Sequence, residues 1–421
     1  MENQTRVSLL VCLALIVVII TAAFIIPEHG SKDDQSSNNN IYDEGVPENN
    51  EENMQNSTSQ FQNASWLHTE GRWIMDDNGN IIRFLGVGRL DLSVYFDDAH
   101  EPWGPQAVEK GIETEVAYDF LKRAGVNIVR IGLNRGAILE NPDMLLLIDK
   151  IVDWCKERNI RIDFDLMRWN KNPGSNGPLV EWNEIVGPNP PQAWIDFFVM
   201  LARRYVDEPT VCMFNIFNEP AYYKAVSLTM TETMEIWNNR VTQVARAIHA
   251  VNPNLLISVD IPRFQPRKWE IAGVEYWIDE PNIVYAVHHY YKSELDWNQP
   301  GWALEYRDGN FDSAIEHYEQ WMINRYFWVA EQRNKALWMD ETGVYYDESK
   351  YPNSLRQIWD EYQILGNHSI GFVQWVWNAE WHPRDTTTGQ LVIPYTMLQN
   401  NETRPTLNEI GQLFAKYLSS L

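Results

Sequence analysis

The chain of 421 residues is 44% hydrophobic, enough for a large core, and it carries 34 Lys and Arg against 58 Asp and Glu. The resulting formal net charge of -24 argues against nucleic acid, whose binding needs a basic surface, and it disfavours anionic polysaccharides. Its three cysteines show no spacing that suggests a zinc site or a disulfide framework, whereas its nineteen tryptophans offer flat apolar faces of the kind that sugars stack on.

The first predicted element is an apolar segment over residues 7–26, VSLLVCLALIVVIITAAFII, which has no charge and is long enough to span a bilayer as a helix. A cleaved signal peptide usually has a shorter apolar core of ~7–15 residues. We therefore predict that residues 1–27 form an uncleaved signal anchor, with a cleaved signal peptide as the alternative. Both interpretations place the rest of the chain on the extracellular side, either anchored to the membrane or secreted.

The next segment, residues 28–65, is rich in Asn, Ser, Gln, Asp and Glu, with Lys32 its only basic residue. It has few apolar side chains to bury, so we predict a disordered linker. From residue 66 onward, apolar segments are separated by turn residues. Residues 71–87 are predicted to form a β-hairpin with its turn at 76–80, where the sequence reads DDNGN.

Strands and amphipathic helices then alternate along the chain. The predicted strands cover residues 81–87, 127–133, 160–167, 211–217, 255–261, 283–290, 336–340 and 370–377. The predicted helices cover residues 113–123, 143–158, 191–206, 231–250, 311–332, 354–364 and 407–418.

Each of the eight predicted strands is a continuous apolar run, which is typical of a parallel sheet covered on both faces. Eight strand–helix units that close on themselves form a (β/α)8 TIM barrel. A doubly wound open sheet is the alternative, but no glycine-rich phosphate loop follows any of the strands. We therefore predict that residues 66–421 form one α/β domain, a monomeric TIM barrel with an N-terminal β-hairpin.

Active-site residues of such a barrel lie at the carboxyl ends of its strands. There, Glu219 follows the fourth strand and Glu341 follows the seventh. A pair of carboxylates that flanks the bond to be cleaved is what glycoside hydrolysis requires, one as a proton donor and one ionised. Five further candidates lie at the same strand ends: Arg130, Asn218, His288, Tyr290 and Trp375.

Two long loops, residues 169–190 and 291–310, are predicted to wall the cleft and to supply the aromatic residues Trp169 and Trp297. His288 and His289 could form half of a metal site, but no third ligand stands at a fixed spacing from them. We therefore expect neither a metal nor a cofactor.

Five stretches, NIVRIGLN, MFNIFNEP, AVHHY, WMDETG and GFVQWVW, resemble glycoside hydrolase family 5, cellulase-like retaining β-glycosidases of the clan of barrels with glutamates on strands four and seven. The resemblance covers residues 66–421, including the opening hairpin. It implies that Glu219 is the general acid/base and Glu341 the nucleophile. It also implies that Asn218 bonds the 2-hydroxyl of the sugar and that Arg130 lies beside the nucleophile.

The same resemblance matches His288 and Tyr290 to the His-x-Tyr pair of the family and Trp375 to the platform under the sugar at the cleavage subsite. One position departs from the pattern, because Met167 stands where the family often has a histidine at the end of strand three. This departure bears on the choice of substrate more than on the reaction.

The expected activity is endo-acting hydrolysis of β-1,4-glucan, an oligo- or polysaccharide, with β-mannan as the alternative substrate. Two other classes remain open. One is a carbohydrate-binding barrel that has lost catalysis, and the other is a metal-dependent barrel enzyme that uses His288 and nearby acids.

Overall fold

The computed structural model describes residues 64–89, 114–169, 192–220, 229–260, 270–271, 273–344, 349–377, 397 and 407–421. The predicted anchor over residues 7–26 and the predicted linker up to residue 63 lie outside this part of the chain and remain predictions. Within the described ranges, no helix combines the length and the apolar character needed to cross a bilayer.

The described chain begins with a hairpin of two strands, β1 (Leu67–Glu70) and β2 (Trp73–Asp76). The prediction placed the hairpin later, with its turn at 76–80. In the structure the connecting turn contains Gly71, whose φ of 59° is a left-handed conformation that glycine adopts without steric cost. The predicted turn also forms, since Asp76 accepts the backbone N–H groups of Asn78 and Asn80, but only the single bridge Met75–Ile81 follows it.

Eight parallel strands close into a barrel, as predicted. In chain order they are β3 (Leu85–Arg89), β4 (Ile128–Asn134), β5 (Arg161–Arg168), β6 (Val211–Asn215), β7 (Leu256–Asp260), β10 (Ile283–Tyr290), β11 (Leu337–Gly343) and β12 (Gly371–Gln374). A small antiparallel pair, β8 (Glu270–Ile271) and β9 (Val274–Glu275), stands between the fifth and sixth barrel strands. The first barrel strand starts four residues later than the prediction of 81.

Helices cover the outside of the barrel. They are α1 (Glu115–Arg123), α2 (Arg135–Glu140), α3 (Met144–Glu157), α4 (Gln192–Arg204), α5 (Met230–His249), α6 (Tyr291–Ser293), α7 (Gly301–Arg307), α8 (Phe311–Met322), α9 (Trp328–Glu331), α10 (Ser354–Asn367) and α11 (Glu409–Ser419). Side chains cap the starts of α1, α2, α5 and α11. Helix α5 begins with a capping box in which Thr229 accepts from the N–H of Glu232 and the Glu232 carboxylate accepts from the N–H of Thr229.

Two predictions around the sixth strand are wrong. The segment 291–310, predicted as a loop, contains α6, a π-helical turn over Glu294–Asn298 and α7. The helix predicted over 311–332 is interrupted by a second π-helical turn, Ile323–Phe327. Packing accounts for the first: Trp302 of α7 is buried and stacks on Tyr318 of α8 at a centroid distance of 4.1 Å.

The barrel interior is apolar at its lower end and polar at the carboxyl ends of the strands. Side chains that fill the lower end include Cys212, Met213, Leu256 and Trp338, all fully buried. The indole N–H of Trp338 donates to Ser258 Oγ at 3.0 Å. Because the lower end is filled, a ligand can reach the interior only from the carboxyl ends of the strands, where the polar side chains lie.

A buried carboxyl group on α10 makes the stability of the fold depend on pH. Glu361 accepts hydrogen bonds from Thr342 Oγ1, from the Tyr318 hydroxyl at 2.7 Å and from Gln357 Nε2 at 2.7 Å. Burial nevertheless raises the pKa of Glu361 from 4.5 to about 7. The folded protein therefore holds a proton here that the unfolded chain releases, so this group's contribution to stability declines as the pH rises through this interval.

Replacing Glu361 with glutamine should flatten the fall of unfolding free energy between pH 5 and 7, by up to about 1.4 kcal/mol per pH unit. Urea unfolding at pH 5, 6 and 7 measures this slope, which is independent of any constant loss of stability that the substitution causes. Glu157→Gln, at a side chain that is 61% exposed, is the matched control and should leave the slope unchanged. A wild-type slope in Glu361→Gln would refute the prediction.

Candidate active site

Arg130 occupies the centre of the polar end of the barrel. It extends from β4, is fully buried, and its Nη1 atom lies 2.7 Å from Glu341 Oε1. Its Nη2 atom donates to Asn218 Oδ1 at 2.8 Å and lies 3.1 Å from Asp165 and 3.3 Å from Asp340. Burial alone would lower the pKa of Arg130, but the surrounding carboxylates outweigh it and raise the pKa well above its ordinary value. Arg130 is therefore a permanent cation.

Glu341 is held at both of its carboxylate oxygens. It lies within β11 and is 5% exposed. Oε1 contacts Arg130, while Oε2 accepts from the Tyr290 hydroxyl at 2.6 Å and lies 3.3 Å from His288 Nδ1. These donors fix the orientation of the carboxylate and compensate its charge, which prepares one defined oxygen for reaction.

Glu219 lies four residues beyond the end of β6, because the strand stops at Asn215 rather than at the predicted Phe217. Its φ of 42° is a left-handed conformation that costs a non-glycine residue roughly 1–2 kcal/mol. Its backbone N–H donates to Asp260 Oδ2 at 2.7 Å. The side chain is 30% exposed and Oε1 lies 3.1 Å from His288 Nδ1, so this carboxyl group is accessible to solvent beside Glu341.

His288 separates two pairs of carboxylates. Its Nδ1 atom faces Glu219 and Glu341, and its Nε2 atom lies 3.5 Å from Asp260 Oδ2 and 3.4 Å from Asp340 Oδ1. Burial alone would lower the pKa of His288, but Glu341, Asp340 and Asp260 together raise it well above its ordinary value. The carboxyl groups on both edges of the ring therefore favour its protonated form. Although burial opposes it, the cations Arg130 and His288 lower the pKa of Asp340.

The two glutamates are close enough to act on one bond. One oxygen of Glu219, one oxygen of Glu341 and a ring nitrogen of His288 all lie within 4.8 Å of one another. In glycosidases, carboxyl groups ~5–5.5 Å apart accompany retention of configuration, whereas ~6.5–9.5 Å accompanies inversion. One oxygen of each carboxyl group can therefore reach the same bond.

Two groups in this site have the geometry of a metal site, namely Glu219–His288–Glu341 and Asp260–His288–Asp340. Both depend on His288. A histidine must lose its proton to bind a metal, and the carboxylates on both edges of this ring favour the protonated form.

Asn218 is oriented by Arg130 and by Met167, which stands where the family often has a histidine. Its Oδ1 atom accepts from Arg130, so its amide nitrogen faces the opposite way, where it lies 3.1 Å from the sulfur of Met167. A thioether accepts hydrogen bonds weakly and donates none. The wall of the site beside Asn218 therefore lacks the donor that a histidine would supply.

Trp375 directly follows β12, and its backbone N–H donates to the backbone carbonyl of Thr342 at 2.7 Å. The Trp375–Val376 peptide bond is cis. The ring lies against Gly88 of β3, where a Cβ atom would come within 2.7 Å of ring atom Cζ3. Only glycine at position 88 leaves space for the indole in this place.

Replacing Gly88 with alanine should displace the Trp375 ring and lower kcat/KM by about 10–100-fold, since a shift of ~1 Å in a positioning group can cost ~10²-fold. Steady-state kinetics on a soluble glycan, together with a thermal melt, measures the effect. Gly301→Ala is the matched control, because a Cβ atom there meets nothing within 4 Å. Wild-type kinetics in Gly88→Ala would show that the ring position is not limiting.

The structure brings seven predicted site residues together: Arg130, Asn218, Glu219, His288, Tyr290, Glu341 and Trp375. It does not place Trp169 in a cleft wall. That side chain is 3% exposed and packs under the guanidinium of Arg135 at 4.1 Å. The side chain of Trp297 lies outside the described part of the structure.

Sequence reasoning missed the buried polar residues beneath the glutamates. The amide of Asn215 donates to Asp260 at 2.8 Å and to Asp340 at 2.9 Å, and its backbone N–H donates to Asp163 at 3.0 Å. The sequence did carry a signal for some of them, namely an acidic residue at the end of a mostly apolar strand. An example is LISVD, whose strand ends at Asp260.

Comparison with known proteins decides the family. The family model described as Cellulase (glycosyl hydrolase family 5) matches residues 87–380. The chain belongs to glycosyl hydrolase family 5. It is thus an O-glycosyl hydrolase on a (β/α)8 barrel, and the resemblance noted in the sequence is confirmed.

Relatives and solved structures agree with this placement. An endoglucanase of Paenibacillus polymyxa is 26% identical over 390 residues, which cover 84% of this chain and 88% of the relative. A β-glucanase of Saccharophagus degradans superposes with a TM-score of 0.63 at 16% identity, over 91% of this chain and 99% of its own. An endocellulase of Pyrococcus horikoshii gives a TM-score of 0.57 at 17% identity, over 84% of this chain and 99% of its own. The two structural likenesses show the shared fold.

Proposed function

We propose that this glycosyl hydrolase is a retaining, endo-acting β-1,4-glucanase with Glu341 as nucleophile and Glu219 as general acid/base. The observation that carries the proposal is the placement of the two carboxyl groups, whose oxygens lie within 4.8 Å of one another on either side of His288 Nδ1. That spacing suits direct attack by one carboxylate while the other protonates the leaving oxygen.

In the first step a Glu341 oxygen attacks the anomeric carbon. Glu219 donates its proton to the glycosidic oxygen as that bond breaks, which releases one end of the glycan. Arg130 and Tyr290 each donate to a different oxygen of Glu341, so the carboxylate is presented in one orientation throughout. The result is a glycosyl–enzyme ester on Glu341.

In the second step the ionised Glu219 removes a proton from water, and the resulting hydroxide attacks the anomeric carbon and frees Glu341. The 30% exposure of the Glu219 side chain supports this exchange with solvent. Asn218, whose carbonyl oxygen is held by Arg130, would use its amide nitrogen for the 2-hydroxyl of the sugar. Trp375 would stack under the same sugar ring.

The names of similar proteins support a neutral β-glucan as the substrate. The Paenibacillus relative is an endoglucanase, and the Saccharophagus β-glucanase has been solved in complex with cellotetraose. The net charge of -24 also favours a neutral glycan over an anionic one. β-Mannan is the second candidate, because Met167 changes the wall beside Asn218 where the sugar hydroxyls would lie.

A panel of neutral polysaccharides tests the proposal. Swollen cellulose, mixed-linkage β-glucan, glucomannan and galactomannan are incubated with the protein, and reducing ends are compared with the fall in viscosity. We expect the fastest cleavage on β-1,4-glucan, internal cuts, and a β-configured product in early NMR spectra. Binding without any product would instead favour the inactive binding barrel, an α-configured product would contradict retention, and loss of activity on chelation would favour a metal enzyme.

We also propose that residues 7–26 anchor this catalytic domain on the extracellular side of the membrane, on the strength of their uncharged apolar sequence. Alkaline extraction of membranes from cells that express the full chain tests this. Retention in the membrane is expected, whereas release of a shortened protein into the medium would favour the cleaved signal peptide.

A further inference from the structure

Asp260, the last residue of the fifth barrel strand, contacts the backbone of Glu219. It is 3% exposed, and its Oδ2 atom accepts the backbone N–H of Glu219 at 2.7 Å and lies 3.5 Å from His288 Nε2. Its Oδ1 atom accepts from the amide of Asn215 at 2.8 Å. Both carboxylate oxygens are therefore engaged, and the side chain cannot rotate away from Glu219.

The backbone of Glu219 needs such a partner. A φ of 42° is disfavoured for glutamate, so the conformation persists only where the surroundings hold it. The bond from this N–H to Asp260 is charge-assisted while the carboxyl group is ionised, and burial raises the pKa of Asp260 to about 7. Removing Asp260 would take away that bond, and with it one constraint on the left-handed turn that directs the Glu219 side chain.

We propose that Asp260 is a positioning residue for the acid/base: it fixes the backbone of Glu219, so that Glu219 delivers its proton to the leaving oxygen. This inference rests on the role proposed above for Glu219. The proposal adds a further residue to those that act in catalysis, and this residue lies outside the sequence motifs that resemble the family.

The test compares two substrates with the same sugar, whose leaving groups differ in how much they need protonation. The full chain and its Asp260→Ala variant are assayed on phenyl and on 2,4-dinitrophenyl β-cellobioside, and kcat/KM, which reports the first step, is measured for each. The dinitrophenolate leaves without protonation, so we expect a loss of less than ~10-fold there, against ~10²-fold or more on the phenyl glycoside. Asp260→Asn still offers an oxygen to the N–H of Glu219 and should lie between wild type and Asp260→Ala.

Equal losses on both substrates would assign Asp260 a merely structural role and overturn the proposal, as would wild-type rates in Asp260→Ala. The matched control is Asp360→Asn. Asp360 is a buried aspartate on α10 that accepts a hydrogen bond from the Tyr306 hydroxyl of α7, and its substitution should not separate the two substrates. If Asp260→Ala does not fold, the same ratio measured on Asp260→Asn decides. Failure of the wild type to cleave either glycoside would refute the proposed function itself, independently of Asp260.

Discussion

Replacing Glu341 with alanine should abolish hydrolysis of natural glycan, with a loss in kcat of ~10⁴-fold or more, because deletion of a covalent nucleophile removes the route through the intermediate. The loss should exceed that of any other single substitution in the site. Both Arg130 and Tyr290 would retain their positions but would face a cavity instead of a carboxylate. Reducing-end release from β-glucan at matched enzyme concentration measures the effect.

Azide then identifies the role of the missing carboxylate. In Glu341→Ala, azide can occupy the space of the carboxylate and attack 2,4-dinitrophenyl β-cellobioside with one inversion, which yields the α-glycosyl azide. In Glu219→Ala, azide should attack the ester on Glu341 and yield the β-glycosyl azide. NMR of the two products distinguishes these outcomes. A β-azide from Glu341→Ala, or full activity of that variant, would show that Glu341 is not the nucleophile.

Replacing Arg130 with methionine should destabilise the fold by about 3–5 kcal/mol, the usual consequence of removing one partner from a buried charge group. The fully buried guanidinium is surrounded by carboxylates, with Asp165 at 3.1 Å, Asp340 at 3.3 Å and Asp163 at 3.7 Å. Burial already raises the pKa of Asp163 to about 8 despite this cation. Without Arg130, these carboxyl groups must bind protons to remain buried.

The loss should therefore grow as the pH rises. Groups whose pKa is raised in the folded state stabilise it at low pH, and their contribution is lost as the pH increases through that pKa. Urea unfolding at pH 5 and pH 8 should show a larger deficit for Arg130→Met at pH 8. Arg246→Met, at a side chain that is 59% exposed, is the control and should cost less than about 1 kcal/mol. A deficit for Arg130→Met as small as this at pH 8 would contradict the prediction.

Much of the barrel could be predicted because the evidence for it is local. The predicted strand 283–290 coincides with Ile283–Tyr290, and the other apolar runs each contain or overlap a barrel strand. The predictions that failed concern segments whose structure is not set by local sequence preference. The hairpin register depends on the left-handed turn at Gly71, and the helices between residues 291 and 310 depend on the burial of Trp302.

The same division holds for the site. Glu219 and Glu341 stand out in the sequence because a carboxylate beside an apolar strand is costly unless the strand end is functional. Asp260 has the same signal but lies in none of the quoted motifs, and Asn215 lies within MFNIFNEP without a carboxylate. Their roles appear only through their partners, Asp340 among them. Trp169 is the opposite case. In the sequence, an aromatic residue after a strand looks the same whether its side chain packs in the core or lines a cleft, and this one is buried.

The sequence by itself was enough to predict the family, the closed barrel and the pair of glutamates, because apolar runs and short motifs are properties of contiguous residues. The tertiary structure alone decided how MFNIFNEP presents its acid. The strand ends at Asn215, the chain turns through a left-handed Glu219, and an aspartate 41 residues away holds that turn by its N–H. Charge balance around His288 is likewise a sum over groups from several strands, and such a sum exists only after the strands have closed.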